Sequence, residues 1–571
     1  MQAFTFIIEN NARSYYYVYA RERRKLMSFK VKFLNQEKEF NDKVRIMDLI
    51  DNSDKKIICC RVNNRLRELT YYVDEDCKID FLTLEDADAG RIYEATVRFI
   101  AVMAFRKIYP ELDIRLSRHV SRATFLQILN KGVSANKKMR DAIEAEMQRI
   151  IDADIPLVRA SYDKEAAAEI YKNMGLVDKL QALAYRPEAK VHLYECEGYY
   201  NYLASRMTPS TGYIKNFKLN LYVPGLILQT PRSECNGEIP EFVDAPTYSR
   251  TLHEAHDFAK LVNADTVVKV NEHIHKDGVI DFIQLCEARH NRMLCELGEI
   301  IEANDDIKII CIAGPSSSGK TTFANRVRIE LMQRGLKPIR ISMDDYYLTK
   351  DKAPLDEDGN PDLESIEALD IELFNQNMLD LINGEEVQLP KFDFKLGKRV
   401  PGRVLKVGKG EPIIIEGIHA LNDRMTALIP RHQKFKIFIA PQMQINLDNH
   451  CPISTVDLRL LRRLVRDKQF RGASAEETIG MWPSVRRGDF RWIYETQEGA
   501  DFVYNSMLPY ELCVMKKYAQ PLLEAVEIDS EYFPVAERLL RMLKYFDDMP
   551  DEWVPCNSLM REFIGGSCYA D

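Results

Sequence analysis

A strand, a glycine-rich loop and a helix follow one another over residues 307–335 and restrict the fold of the carboxyl-terminal half of this 571-residue chain. The loop, residues 314–321, has the sequence Gly-Pro-Ser-Ser-Ser-Gly-Lys-Thr and fits the pattern Gly-x-x-x-x-Gly-Lys-Ser/Thr. The run 307–313 before it is apolar, as in a buried strand, and 322–334 after it has helical periodicity that ends at Gly335. This order predicts an α/β unit over 305–571, with a parallel sheet flanked by helices.

A loop of this kind binds phosphate because its glycines let the backbone wrap tightly. Several N–H groups and the N-terminus of the next helix can then face phosphate oxygens. Lys320 would stabilise the phosphoryl group in transfer, and Thr321 would ligate Mg²⁺, so the loop predicts ATP and Mg²⁺ as cofactors. The predicted ATP-binding residues of the loop are Gly314, Pro315, Ser316, Ser317, Ser318, Gly319, Lys320, Thr321 and Thr322.

Two acidic residues follow predicted strands and are candidates for catalysis. Asp344 comes after the strand predicted at 339–342, where a carboxylate is well placed to accept a hydroxyl proton; from spacing alone, a helix cap or turn is the alternative. Glu416 ends the apolar run 413–415, which is typical of a carboxylate that acts through Mg²⁺, with a strand-end salt bridge as the alternative.

An arginine cluster lies further along the chain. Because Arg459, Arg463 and Arg466 are three or four residues apart, they share one helical face, from which Arg462 is offset. In isolation such a face is typical of a solvated surface. Beside a phosphate loop, the cluster favours a lid that clamps phosphates and shields the reaction from water, with Arg471 at its end.

Composition excludes several classes of protein. Hydrophobic residues make up 46% and charged residues 29%, which argues against a disordered or fibrous chain. The net charge of −8 argues against nonspecific nucleic-acid binding by the chain as a whole, because such binding depends on positive charge. No segment resembles a secretory signal, no apolar run approaches the roughly 20 residues of a membrane span, and the 12 cysteines form no Cys-x-x-Cys pair. We therefore expect a cytoplasmic protein of several domains with no membrane partner.

The amino-terminal half is divided by changes in pattern. Residues 1–27 form an irregular extension, 28–90 contain short alternating strands in a small α+β module, and 91–245 combine a helix with strands. Residues 246–304 are strongly helical and charged, which predicts a helical connector. The fold class is therefore a multidomain combination of α+β units and a carboxyl-terminal α/β unit.

The loop and four further motifs together resemble the uridine kinase and phosphoribulokinase family. These motifs are Ser-Met-Asp-Asp-Tyr-Tyr at 342–347, Pro-Lys-Phe-Asp-Phe at 390–394, Ile-Glu-Gly at 415–417 and Arg-Arg-x-x-Arg-Asp at 462–467. All five lie in the family's order between residues 314 and 467, a little over a quarter of the chain.

The resemblance implies a role for each matching residue. Asp344 would be the general base on a nucleoside 5′-hydroxyl, with Lys320 as its catalytic partner, and Glu416 would join Thr321 at the metal. The implied substrate-binding residues are Tyr347, Glu364, Phe392, Phe394 and Arg463. Arg466 and Arg471 would hold the ATP phosphates.

Two departures from the family pattern leave the base preference open. The histidine expected to read a pyrimidine, three residues after Phe394, is replaced by Gly397. The arginine expected two residues after Arg471 is replaced by Ala473. Phe392 and Phe394 still favour the stacking of a flat base.

The front half has resemblances of its own. Residues 28–90 are similar to a TGS domain of β-grasp fold, and 91–245 resemble the editing domain of threonyl-tRNA synthetases. That domain holds two histidines on a helix and a Cys-x-x-x-His, whereas this chain has Ala95, Phe99, Cys196 and Tyr200 at these positions. A lone thiol makes neither a metal site nor an acid–base pair, so editing hydrolysis is not expected. A synthetase is excluded because a phosphate loop stands where the class II core should follow.

These features favour a Mg²⁺-dependent kinase that phosphorylates a nucleoside 5′-hydroxyl. A different class remains open, an RNA- or ribosome-associated regulator driven by ATP, in which the front domains bind RNA or a nucleotide. A related kinase acting on a sugar phosphate or pantothenate is a third alternative. The sequence is also compatible with a homo-oligomer.

Overall fold

The computed structural model describes residues 28–275, 278–349, 351–356, 359–393, 396–408 and 410–569, with 118–120 described as backbone only. The extension predicted at 1–27 and the predicted base-stacking residue Phe394 lie outside these residues.

The first unit is a mixed five-stranded sheet in the order β2-β1-β7-β4-β5. Strands β1 and β7 are parallel, the other neighbouring pairs of this sheet are antiparallel, and β3 and β6 form a separate antiparallel pair. Phe29, Val31 and Phe33 are buried while the lysines between them are exposed, which confirms the predicted alternation. The strands are β1 (Phe29–Phe33), β2 (Gln36–Phe40), β3 (Val44–Arg45), β4 (Cys59–Val62), β5 (Arg65–Arg67), β6 (Tyr72–Val73) and β7 (Cys77–Leu82).

The second unit is built around a long buried helix, α1 (Ala87–Ile108). Antiparallel strands form one sheet in the order β13-β14-β9-β8 and a second in the order β10-β11-β12. The strands are β8 (Ile114–Val120), β9 (Ala123–Ile128), β10 (Val158–Asp163), β11 (Lys190–Cys196), β12 (Tyr199–Asn201), β13 (Lys218–Tyr222) and β14 (Gly225–Gln229). The further helices are α2 (Lys137–Asp152), α3 (Lys164–Asn173) and α4 (Val177–Ala184).

Three helices follow where a helical connector was predicted, namely α5 (Pro246–Leu261), α6 (Val267–His275) and α7 (Val279–Glu302). They are packed rather than extended. Met293, Leu294 and Leu297 of α7 share one apolar core with Phe323 and Val327 of the next unit. Helix α7 therefore covers a flank of the carboxyl-terminal sheet.

The carboxyl-terminal unit has the predicted parallel sheet, in the order β16-β19-β15-β20-β21, with every neighbouring pair parallel. Ile309–Ala313, Ile413–Glu416 and Lys434–Ala440 are buried throughout, as strands covered by helices on both faces must be. The strands are β15 (Ile309–Ala313), β16 (Ile339–Ser342), β17 (Glu386–Asp393), β18 (Lys398–Lys406), β19 (Ile413–Glu416), β20 (Lys434–Ala440) and β21 (Phe502–Asn505), of which β17 and β18 form a separate hairpin.

The helices of this unit begin with α8, which follows the phosphate loop directly. They are α8 (Lys320–Gln333), α9 (Ile371–Ile382), α10 (Thr455–Arg471), α11 (Ala475–Gly488), α12 (Glu511–Glu524), α13 (Phe533–Leu543) and α14 (Arg561–Ile564). A π-helical turn, Asp489–Ile493, extends α11.

Strand register brings the predicted site residues to one edge of this sheet. Glu416 lies opposite Ile312 of β15 on one side and Ser342 of β16 on the other. The carboxyl ends of these strands open on the phosphate loop and on Asp344, where ligands bind in open α/β sheets. Among the described helices, none is both long and apolar enough to cross a membrane.

Candidate active site

The phosphate loop has the strained backbone that its sequence predicts. Ser317 and Gly319 have φ values of 62° and 92°, in the left-handed region. Gly314 leaves no room for a side chain, because a Cβ there would lie 1.9 Å from the carbonyl oxygen of Ile439. Lys320 Nζ reaches back along the loop and donates to the carbonyl oxygens of Gly314, at 3.0 Å, and Pro315, at 3.3 Å.

The loop also presents polar groups suited to a phosphate ligand. The hydroxyls of Ser317 and Ser318 are buried and have no hydrogen-bond partner within the described protein. Buried hydroxyls of this kind require an acceptor or donor from outside the chain. Together with the N–H groups at the N-terminus of α8, they fit the phosphates of a nucleotide.

Two of the clustered arginines support the loop from behind. Arg459 Nε donates to the carbonyl oxygen of Ser316 at 3.0 Å, and Arg462 donates to that of Ser317 at 3.3 Å. Each guanidinium is 1% exposed and forms a buried ion pair, Arg459 with Asp489 at 2.7 Å and Arg462 with Glu511 at 2.6 Å. A solvated face is therefore wrong for these two residues, which fix the loop from the protein interior.

The remaining three arginines converge on one carboxylate. Arg463, Arg466 and Arg471 approach the fully buried Asp467 at 3.2, 2.8 and 3.4 Å. Arg463 also donates to the hydroxyl of Ser316 at 3.0 Å. Three guanidinium groups against one carboxylate leave excess positive charge beside the loop, which suits the predicted phosphate and acceptor contacts.

Asp344 and Glu416 meet at the ends of adjacent strands. The Ser342 hydroxyl donates to Glu416 and accepts from the backbone N–H of Asp344 at 3.4 Å, so one side chain links the two acids. Glu416 is buried, whereas Asp344 keeps solvent access in the cleft. Asp344 is therefore open to an acceptor, as a general base must be.

Burial and charge set the ionisation of this cluster. Burial raises the pKa of Glu416 to about 7, and the neighbouring Asp344 carboxyl adds to this shift. The protein surrounding Asp344 raises the pKa of its carboxyl, while Lys320 opposes the rise. Burial lowers the pKa of Lys320, and the Glu416 and Asp344 carboxylates counter that effect. The three groups thus form one coupled electrostatic unit.

Glu364, which the sequence predicts to bind the acceptor, lies in the same cleft. Burial raises its pKa to about 7, with Asp489 adding to the rise, while Arg463 and then Lys320 lower it. A Cβ on Gly488 would lie 2.5 Å from the Cβ of Glu364, so this glycine admits the acid to the site. The predicted acceptor acid therefore lies within electrostatic reach of the phosphate-binding lysine.

The aromatic side chains predicted to bind the substrate, Tyr347 and Phe392, are less exposed than Asp344. Tyr347 donates to the carbonyl oxygen of Leu363 at 3.1 Å, and its ring meets that of Phe392 edge to face at 5.9 Å. Phe392 is 8% exposed, and its backbone N–H donates to Asp345 at 3.2 Å. These contacts hold the β17 end of the hairpin against the segment that carries Asp344.

The oxygen donors near the loop suit magnesium. In the described part of the chain, no group of three or more His, Cys, Asp or Glu residues has the arrangement of a metal cage. Mg²⁺ is commonly held by one or two carboxylates together with substrate phosphates and water. Glu416, with the Thr321 hydroxyl as a further donor, fits that pattern.

Three residues at the site were not predicted from the sequence. His419, two residues beyond the Ile-Glu-Gly motif, is 1% exposed, and its ring meets that of Trp492 edge to face at 6.1 Å. Asp467 ends the Arg-Arg-x-x-Arg-Asp motif, and the arginines beside it in the sequence were a signal that could have indicated an ion-paired carboxylate. Glu562 reaches the loop from 240 residues away in sequence, and no local pattern indicates it.

The editing-like positions of the second unit contain no catalytic group. Cys196 is buried, and burial raises the pKa of its thiol to about 12, so the thiolate is not formed near neutral pH. Tyr199, next to Tyr200, packs its ring on Phe99 at 5.2 Å. Phe99 stands at the second of the two helix positions that hold histidines in the editing domain, and its ring forms an aromatic contact there.

Comparison with known proteins identifies the carboxyl-terminal unit. Residues 309–509 match the profile of the Phosphoribulokinase / Uridine kinase family. A uridine kinase of Macrococcus caseolyticus is 32% identical over 197 residues, which cover 34% of this chain and 86% of that protein. A uridine kinase of Halalkalibacterium halodurans is 29% identical over 197 residues, 34% of this chain and 84% of that protein.

The front half has a different relative. A threonine–tRNA ligase of Symbiobacterium thermophilum is 28% identical over 172 residues, which cover 29% of this chain but only 25% of the ligase. The similarity lies in the amino-terminal region and does not include the rest of the ligase. The chain belongs to the phosphoribulokinase and uridine kinase family, with residues 309–509 as its kinase domain.

Proposed function

We propose that this protein transfers the γ-phosphoryl group of ATP to the 5′-hydroxyl of a nucleoside. The observation that carries the proposal is the solvent-accessible Asp344 beside Lys320 and Glu416 at the end of the phosphate loop. A carboxylate that is open to the cleft and close to the phosphate-binding lysine is suited to take a proton from an alcohol.

In the proposed reaction, the 5′-oxygen forms a bond to the γ-phosphorus as its proton passes to Asp344. The bond from that phosphorus to the bridging oxygen breaks, and ADP leaves with the bond's electrons. Lys320 neutralises charge on the phosphoryl group, and the loop N–H groups hold the other phosphates in place. Most of the rate enhancement comes from positioning and electrostatics.

In this proposal, different side chains bind the metal ion and the acceptor. Glu416 and Thr321 would hold Mg²⁺, which when bound neutralises charge on the phosphate oxygens. Glu364 and Arg463 are proposed to contact the ribose, with Tyr347 bordering the acceptor side. Arg466 and Arg471, which both approach Oδ1 of Asp467, would hold the ATP phosphates.

The experiment is ATP consumption by the full chain with Mg²⁺ and a panel of single acceptors. The panel contains the common nucleosides, pantothenate and ribulose 5-phosphate. We expect one nucleoside to stimulate turnover and to be recovered as its 5′-monophosphate. Stimulation by pantothenate or ribulose 5-phosphate alone would contradict the nucleoside assignment while preserving the kinase.

The similarity of the front half to threonine–tRNA ligases supports a second candidate, an RNA-linked regulator driven by ATP hydrolysis. It predicts ATP turnover that no small acceptor stimulates, together with tRNA binding that weakens steeply with salt. Because the two candidates differ in acceptor dependence, the same panel separates them.

A further inference from the structure

The segment that joins β20 to α10 leaves the kinase domain and enters the second unit. Residues 441–448 are all buried, and the stretch 446–451, here called the anchor loop, contacts elements that are distant in sequence. Its first contact is polar: the Asn446 side chain donates to the carbonyl oxygen of Leu116 in β8 at 2.7 Å. The anchor loop therefore belongs structurally to the amino-terminal half.

A buried ion pair fixes the anchor loop. Lys179 of α4 and Asp448 lie 2.9 Å apart, with side chains 1% and 7% exposed. Lys179 also donates to the carbonyl oxygen of Tyr202 at 2.9 Å, and Asp448 accepts from the backbone N–H of His450 at 2.8 Å. Removing one partner of such a pair leaves an unpaired charge in the interior, so the contact defines a single position for the loop.

Main-chain hydrogen bonds add to the ion pair. The backbone N–H of Asn449 donates to Asp178 at 2.8 Å, and its carbonyl oxygen accepts from the backbone N–H of Leu116 at 2.7 Å. Cys451 donates through its thiol to the carbonyl oxygen of Tyr202 at 3.3 Å. The loop is thus tied to β8, to α4 and to the chain just after β12.

The anchor loop also contacts strand β12 of the second unit. His450 Nδ1 is 3.3 Å from the side-chain nitrogen of Asn201, which follows Tyr200 in β12. Asn201 and His450 are 0% and 4% exposed. Asn201 shares this face of β12 with Tyr199, to whose hydroxyl it donates at 2.7 Å, whereas the ring of Tyr200 lies on the other face against Tyr162. The anchor loop therefore packs against the face of β12 that Tyr199 and Asn201 form.

The loop leads directly into the arginine helix. Ser454 caps α10 by accepting from the backbone N–H of Asp457 at 3.2 Å, and Arg459 follows Cys451 by eight residues. Arg459 and Arg463 of that helix donate to the backbone and the hydroxyl of Ser316 in the phosphate loop. The anchor loop thus fixes one end of the helix whose side chains support the phosphate loop.

We propose that the second unit acts as a positioning device for α10, with Lys179 and Asp448 as positioning residues for nucleotide binding. The anchor loop packs against α4 and β12, and through it the second unit sets the position of the arginine helix and of the phosphate loop. The inference rests on the proposed function only in requiring that the phosphate loop binds ATP.

The test uses the full chain and ATP binding without an acceptor, measured by titration calorimetry, together with hydrogen exchange of residues 455–471. Lys179→Met leaves Asp448 unpaired and is expected to weaken ATP binding by about tenfold and to raise exchange in α10. Lys179→Met combined with Asp448→Leu removes both charges and is expected to restore affinity to within about threefold of wild type. Lys190→Met, which breaks an exposed ion pair on the same unit, is the matched control.

A milder variant covers the case in which Lys179→Met does not fold. Asp178→Ala removes the acceptor for the Asn449 N–H without stranding a buried lysine, and we expect ATP binding to weaken by about threefold. Unchanged ATP affinity and unchanged exchange in α10 for folded variants would overturn the inference. Absence of ATP binding by the wild type would instead overturn the proposed function, so the two failures are distinguishable.

Discussion

The carboxylate of Glu562 accepts a hydrogen bond from the backbone N–H of Thr322 at 2.9 Å. Thr322 lies in the first turn of α8, where free N–H groups and the helix dipole favour an anion. Leu559 of the same carboxyl-terminal segment is 1% exposed and would lie 3.4 Å from a Cβ on Gly319. A side-chain carboxylate therefore occupies a donor that a nucleotide phosphate would use.

Glu562→Gln is expected to increase ATP affinity by about threefold to tenfold, because it removes a negative charge that competes with phosphate at the helix N-terminus. Titration calorimetry with ATP measures the change. Glu552→Gln, an exposed acid in the preceding turn, is the matched control and should leave affinity unchanged. Weaker ATP binding by Glu562→Gln would show that the carboxylate supports the loop instead of competing with the nucleotide.

Asp344→Asn is expected to lower turnover by at least about a hundredfold, because it removes the carboxylate proposed to accept the acceptor proton. ATP affinity should stay within a few-fold, since Lys320 and the loop are unchanged. Steady-state kinetics and calorimetry separate the two effects. Asp351→Asn, at an exposed turn close by, serves as the control. Near-normal turnover in Asp344→Asn would remove this residue from the base role.

Two neighbouring arginines of α10 should give opposite phenotypes. Arg462→Met leaves Glu511 buried without its partner and should lower the free energy of unfolding by about 3–5 kcal/mol. Arg466→Met should leave stability nearly unchanged, because Asp467 keeps Arg463, and should weaken ATP binding by about tenfold.

Urea denaturation and ATP titration on both variants test this difference, with the exposed Lys468→Met as a control on the same helix. Equal losses of stability in Arg462→Met and Arg466→Met would contradict the division between a supporting and a phosphate-binding arginine.

Glu364→Gln should stabilise the protein at high pH and not at low pH. The pKa of Glu364 is raised to about 7 in the folded protein from 4.5 in the unfolded chain, so above pH 7 folding must keep a carboxylate in an unfavourable site. As the pH falls from 7 towards 4.5, the folded state takes up a proton that the unfolded chain does not, and this penalty disappears. The Tm of Glu364→Gln should exceed that of the wild type at pH 8 by clearly more than at pH 5, where most of the penalty has been lost.

Glu367→Gln, in an exposed ion pair with Arg424, should leave the Tm unchanged at both pH values. Because Glu364 is proposed to contact the acceptor, its glutamine variant should also raise the acceptor KM. A Tm difference that is equal at pH 8 and pH 5 would contradict the assigned ionisation.

Local patterns in the sequence predicted the centre of the site. The phosphate loop was recognisable because strand, loop and helix are contiguous, and Asp344 was expected near Glu416 because both follow strands of one parallel sheet. The supporting contacts were not predictable. Arg459 and Arg462 find Asp489 and Glu511 at separations of 30 and 49 residues, and a helical pattern gives no sign of which face is buried against a distant acid.

For the front half, local patterns in the sequence predicted the order of the units but not the contacts between them. Strand alternation indicated β1, and the absence of histidines argued against an editing site, but nothing local showed that the anchor loop would enter the second unit. Such contacts depend on how two units pack, which hydrophobic periodicity does not encode.

Helix α7 determines where the folded kinase unit begins along the chain. It lies before the residues that match the kinase family, yet it contributes Met293 and Leu294 to the core of the kinase sheet, and its Glu287 accepts from Tyr510 and Ser558. A gene fragment starting at residue 305 would encode a sheet with an uncovered apolar flank and a buried tyrosine without its acceptor. The unit that folds with the kinase sheet therefore begins no later than α7, and a boundary at residue 305 would cut through its core.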